Sequence, residues 1–149
     1  MSISRSIMAS LFCFVAASFV GVVSVQAKKP VELRVAVVHA SKVASKTDRK
    51  ISKRMAKSLG AVFGQYKSFR LLSKDVQKLQ AGKTVKIPLP VKTDAIIKYN
   101  GQEKKKHKLT LSIPKHKVKM KLSAPSKKLF YQAGIRYKKG ILVLAFYLK

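Results

Sequence analysis

The sequence predicts an α+β domain in which one principal amphipathic helix packs on a mostly antiparallel sheet of about six strands. Three observations carry this expectation. Ile51, Met55, Leu59, Val62, Phe63 and Tyr66 follow helical spacing, several short stretches alternate apolar with polar residues, and Ile141 to Leu148 form a nearly continuous apolar run.

Residues 1–27 read as a cleaved secretory signal peptide. Arg5 precedes an apolar stretch from Ile7 to Val25, and Val25-Gln26-Ala27 supplies the small-x-small cleavage site before Lys28-Lys29. Ser10, Ser18, Gly21 and Ser24 argue against an uncleaved anchor. Cys13 is the only cysteine and would leave with the leader, which excludes disulfides, thiolate metal sites and a cysteine nucleophile from the rest. Residues 28–149 then form a single basic domain, periplasmic or secreted.

Within that domain, Glu32 to His39 reads as a strand because β-branched residues dominate it. A helix follows from Thr47 to Tyr66, with Ser45 or Thr47 as cap and Asp48 at the positive end of its dipole. Lys67 to Leu72 reads as a second strand, and Ser73 caps a short turn through Leu79. Val85 to Leu89 contains Pro88 and belongs on an edge. Asn100-Gly101 tolerates the positive φ of a tight hairpin, which would place Lys98 opposite Glu103. Ile141 to Leu148 reads as a central strand buried on both faces.

Charge bounds function more tightly than any motif. The formal net charge is +28, and Arg5 is the only charged residue in 1–27, so the remaining 122 residues carry +27. Self-repulsion on that scale calls for a polyanion opposite it. Lys115, Lys117, Lys119 and Lys121 alternate with His116, Val118, Met120 and Leu122. Lys106 and Lys108 alternate with His107 and Leu109 in the same way. A strand's period of two puts each lysine set on one face, and a hairpin through Pro114 puts both sets on the same side, with like charges opposed across the strands. Arg49, Lys50, Lys53, Arg54 and Lys57 line the polar face of the helix. A single exposed strand lysine is ordinary; it is the cluster that points to an anion-binding surface.

Lysine greatly outnumbers arginine, and lysine acts as a point charge where arginine reads bidentate geometry. The expected partner is therefore an anionic membrane surface or acidic polymer, such as anionic lipid, lipopolysaccharide or acidic polysaccharide. Nucleic acid and an acidic envelope protein are the alternative partners. Gly82-Lys83-Thr84 lacks the rest of a P-loop, and Ser112-Ile113-Pro114-Lys115 lacks a helix to bring lysine to serine. His39, His107 and His116 show no ligand spacing, and the five carboxylates are scattered. Phe130, Tyr131, Tyr137 and Tyr147 read as packing groups before base-stacking ones. No catalytic set, metal or cofactor is expected.

Val38-His39-Ala40-Ser41, Phe69-Arg70-Leu71-Leu72-Ser73, Ile87-Pro88-Leu89-Pro90 and the Gly134 to Gly140 segment together resemble an uncharacterised family of small exported bacterial proteins. The resemblance implies an exported single domain of unassigned role, and this chain departs from it in its lysine content.

Overall fold

The computed structural model describes residues 28–149, so the signal-peptide reading and Cys13 lie outside the described residues. In chain order the elements are β1 (Val31–Ser41), α1 (Lys53–Val62), β2 (Ser68–Leu79), β3 (Thr84–Leu89), β4 (Thr93–Glu103), β5 (Lys106–Ile113), β6 (Val118–Pro125), β7 (Leu129–Tyr137) and β8 (Gly140–Leu148). They build two four-stranded antiparallel sheets, ordered β2-β1-β8-β7 (sheet A) and β3-β4-β5-β6 (sheet B).

This architecture corrects the α+β expectation of one sheet of about six strands. The described residues are mostly β, 61% strand and 11% helix, with eight strands in two sheets. Leu33, Val35 and Val37 of β1 and Leu142, Leu144, Phe146 and Leu148 of β8 meet Ile87, Ile97, Leu109 and Leu111 of sheet B in one buried cluster. Burial of each such side chain stabilises the sandwich by roughly 1.5–3 kcal/mol. The alternate residues of the same two strands, Ala36, Val38, Ala40, Val143 and Ala145, face the other way and pack with Ile51, Leu59 and Phe69 beneath α1. The layers are therefore helix, sheet A, sheet B. Being covered on both faces is why β8 reads as a nearly continuous apolar run, as expected for Ile141 to Leu148, and why β1 is apolar on both sides from Val35 to Val38.

The helix is shorter than its apolar spacing suggests. Ser52, not Ser45 or Thr47, is the cap, its Oγ accepting from the Met55 N–H at 3.2 Å. Asp48 organises the preceding turn instead, accepting from the Lys50 N–H at 3.0 Å. At the other end the Phe63 N–H bonds the Leu59 carbonyl and closes the helix near Gly60 and Gly64. The predicted turn at 73–79 is instead the second half of β2, which bulges at its pairing with Val37 and Val38.

The hairpin expected at Asn100-Gly101 lies elsewhere. Those residues sit inside β4 at a bulge, with Gly101 at φ +106°, and Lys98 pairs with Thr84 and Thr110 rather than with Glu103. The tight turn is Lys104-Lys105, at φ +46° and +64°, which brings Glu103 opposite Lys106. Pro88 does sit on an edge strand, paired with Asp94. At Gly140 a Cβ would stand 1.9 Å from the Ala40 carbonyl oxygen, so only glycine lets β8 start against the end of β1.

Candidate polyanion-binding surfaces

Among the described residues no element covers the outer face of sheet B. Its side chains run in rows across the strands, set by the register. One row is Lys86, Ile96, Ser112, Lys119; the next is Thr84, Lys98, Thr110, Lys121. Lys108 stands opposite Ser123, and Lys106 opposite Pro125. The β5–β6 pair therefore does not oppose lysine to lysine as expected, because each ammonium faces a hydroxyl or a proline. Lysines of the same row on β4 and β6 are separated by two strand spacings, about 10 Å. Lys119 and Lys121, two residues apart on one face of β6, stand closer, at about 7 Å, inside one Debye length of dilute salt, so the face carries repulsion that a bound anion would relieve. Lys108 approaches Glu103 at 3.5 Å, an exposed pair of small energetic weight. Asn100 donates to Thr110 at 2.8 Å and stiffens the centre of the face.

Of the expected cluster, Lys106, Lys108, Lys119 and Lys121 share this face. Lys115 and Lys117 leave it: Pro114–His116 is a 3₁₀ turn and Lys117 has φ +53°, which ends the period-two alternation. Lys86 and Lys98 join the face instead. Arg49 and Lys50 lie in the turn before α1, and Lys53, Arg54 and Lys57 lie on α1, all exposed. They belong to the opposite side of the sandwich, because α1 packs on the outer face of sheet A. The two basic sets are thus separate surfaces, with both sheets between them.

A third basic region was not visible in the sequence. Where the chain crosses between the sheets, at Gln80–Lys83 and at Ser126–Lys128, the open mouth of the sandwich forms a depression. It is lined by Lys28, Lys29, Lys104, Lys105, Lys127 and Lys149 together with Tyr99, His107 and Ser126. Tyr99 and His107 are buried, 4% and 3% exposed, while Ser126 is exposed. The Tyr99 hydroxyl lies 3.0 Å from His107 Nδ1, and His107 Nε2 lies 2.7 Å from Ser126 Oγ. Burial pushes the His107 pKa down and the Tyr99 pKa up, so the imidazole and the phenol both stay neutral at pH 7. The signal for this region was the alternation that turns Tyr99 and His107 inward on either side of Lys104-Lys105. Bringing Ser126 to them requires the sheet-to-sheet crossover.

The remaining candidates resolve into packing. Phe130 stacks on Phe146 with centroids 4.9 Å apart, Tyr131 packs edge-on to Phe63, and Tyr137 packs edge-on to His39 at 5.0 Å. Tyr147 lies beneath the Arg34 guanidinium. Among the described residues no cluster of three His, Cys, Asp or Glu side chains could hold a metal, and no helix is long and apolar enough to cross a membrane.

Every non-glycine residue with positive φ among the described residues is a lysine: Lys92, Lys104, Lys105, Lys117, Lys127 and Lys138. The left-handed region costs a side-chain-bearing residue roughly 1–2 kcal/mol relative to glycine. The turns therefore carry cations at positions where the backbone favours glycine or asparagine. No protein-family model, curated protein or solved structure matches this chain.

Proposed function

We propose that this protein is a non-enzymatic exported protein that binds a polyanionic surface, through the bare outer face of sheet B. The observation that carries this reading is a sheet face of lysines spaced by hydroxyls, with no covering element and one weak carboxylate pair. Lysines at positive φ in the turns support it, since cations are kept there against local conformational preference. The preference for lysine over arginine favours diffuse attraction to anionic lipid, lipopolysaccharide or acidic polysaccharide over reading of base edges.

Co-sedimentation with phosphatidylglycerol vesicles across a salt series tests the reading. Each lysine near such a surface contributes about 1 kcal/mol, so Lys119→Gln with Lys121→Gln weakens binding roughly thirtyfold at low salt. The pair Arg54→Gln and Lys57→Gln reports whether the helix face contributes on its own. Binding that is absent, or indifferent to salt, sinks the proposal. Stronger retention by duplex DNA, or a single acidic protein held at high salt, would replace it with the nucleic-acid or envelope-assembly alternative.

A further inference from the structure

The open mouth of the sandwich differs in kind from the flat face of sheet B. It is concave, none of the five carboxylates lines it, and a chain of three polar groups, two of them buried, ends in it at the exposed Ser126. The polarity of that chain decides what the mouth can do. Among the described residues His107 Nδ1 is the one hydrogen-bond partner of the Tyr99 hydroxyl, and Tyr99 is buried. If Nδ1 carried a proton, the phenolic hydrogen would be left without a protein acceptor, at the cost of a buried unsatisfied donor. The arrangement that satisfies every group has Tyr99 O–H donating to Nδ1 and Nε2–H donating to Ser126 Oγ. The Ser126 hydroxyl, its oxygen already accepting, then turns its own hydrogen outward among the ammonium groups.

We propose that this mouth is a discrete binding site for a phosphate monoester group, with Ser126 O–H and the ammonium groups of Lys104, Lys105 and Lys127 as its donors. A monoester carries about −1.5 to −2 at pH 7 and offers several acceptor oxygens, which suits convergent point charges better than a singly charged carboxylate does. The two-residue turn Lys104-Lys105 and Lys127, all at positive φ, sit at the rim, so the backbone conformation itself sets cations there. The polarity also separates binding from catalysis. With Nδ1 occupied by the Tyr99 proton and Nε2 already protonated, His107 cannot take the Ser126 proton, so the serine is a hydrogen-bond donor and not a nucleophile.

The site does not depend on the polyanion reading, because it holds one small anion saturably whereas a flat lysine face holds a polymer through many weak contacts. Amide NMR titration of the purified protein at constant ionic strength tests it, with glycerol 3-phosphate, inorganic phosphate and acetate as probes. Saturable shifts at His107, Ser126 and Lys127 with the two phosphates, and none with acetate, support it. Ser126→Ala weakens glycerol 3-phosphate about tenfold, the worth of a hydrogen bond to a charged group. Lys127→Asn, which keeps a residue tolerant of positive φ, weakens it about fivefold. Lys46→Gln, the same charge loss in the loop before α1, leaves it unchanged. Tighter binding to phosphatidic acid vesicles than to phosphatidylglycerol vesicles assigns the phosphate to a lipid headgroup, and equal binding assigns it to a soluble ester. Equal shifts with acetate, an unaltered affinity in Ser126→Ala, or covalent labelling of Ser126 by a fluorophosphonate would overturn the proposal.

Discussion

The two sheets have the same number of strands and the same antiparallel pairing, yet their outer faces have opposite fates. Sheet A turns Ala36, Val38, Val143 and Ala145 outward and buries them under α1, whereas sheet B turns lysines and hydroxyls outward and leaves them bare. The difference lies in every second residue of the strands. In β8 both alternating sets are apolar, and in β6 one set is Lys119, Lys121 and Ser123. A sandwich needs only one apolar face per sheet, so the second face is free to be spent on a further layer, as in sheet A, or on a surface, as in sheet B.

The sharpest way to break that comparison is to place a carboxylate on each outer face. Val143→Asp puts an unpaired carboxylate under α1, and we expect a loss of more than about 4 kcal/mol and unfolding at ordinary temperature, read by chemical denaturation. Acidification acts on the interior next. Burial pushes the His107 pKa down, and burial first, with Lys138 and Arg70 adding to it, lowers that of His39 against a hydrogen bond that the imidazole donates to the Tyr137 backbone. Below the unfolded value of 6.5 the unfolded chain takes up protons that the folded chain refuses. Stability is therefore insensitive to these groups above that pH and declines as pH falls toward the lowered folded values. Thermal melts across this range show the decline, and His107→Gln removes its share of the slope.

Smaller effects sharpen the description of the bare face. Lys117→Gly relieves a left-handed lysine at the end of the β5–β6 turn, and we expect a gain of about 1 kcal/mol in denaturant melts. Thr110→Glu, in the row between Lys98 and Lys121, should stabilise by about 0.5 kcal/mol in low salt and by nothing measurable in high salt. A destabilising Thr110→Glu would show that the lysines of this face are already neutralised, against the picture of an open cationic surface.

What the residues disclosed in advance follows from where each lies. β8 was legible because double burial leaves a nearly continuous apolar run, β1 because β-branched residues dominate it, and the edge position of β3 from Pro88. The first half of β2 was legible as a strand but its second half was not, because it lies at the edge of sheet A and intersperses Lys74, Asp75, Gln77 and Lys78, which resembles a turn. Asn100-Gly101 misled because the backbone freedom that serves a hairpin also serves a bulge, while the actual hairpin is made by two lysines of poor turn propensity. In the candidate surface, period-two spacing correctly grouped Lys106, Lys108, Lys119 and Lys121. It failed at Lys115 and Lys117, where Pro114 starts a 3₁₀ turn. The separation of helix and sheet cations, and the meeting of Tyr99, His107 and Ser126, depend on which face each element buries and on the crossovers, which no local pattern encodes.

The pairing of β1 with β8 has a temporal consequence. The first strand of the described chain lies between β2 and the very last strand, with the Glu32 and Lys149 backbones bonded to each other at 2.9 and 3.0 Å. The β3-to-β6 meander closes through neighbours in sequence, so it can assemble while the chain is still emerging. The centre of sheet A cannot, since β8 follows the whole meander in the chain. Until β8 arrives the apolar inner faces of both β1 and the meander stand open, and like charge on every copy of the chain would oppose their association.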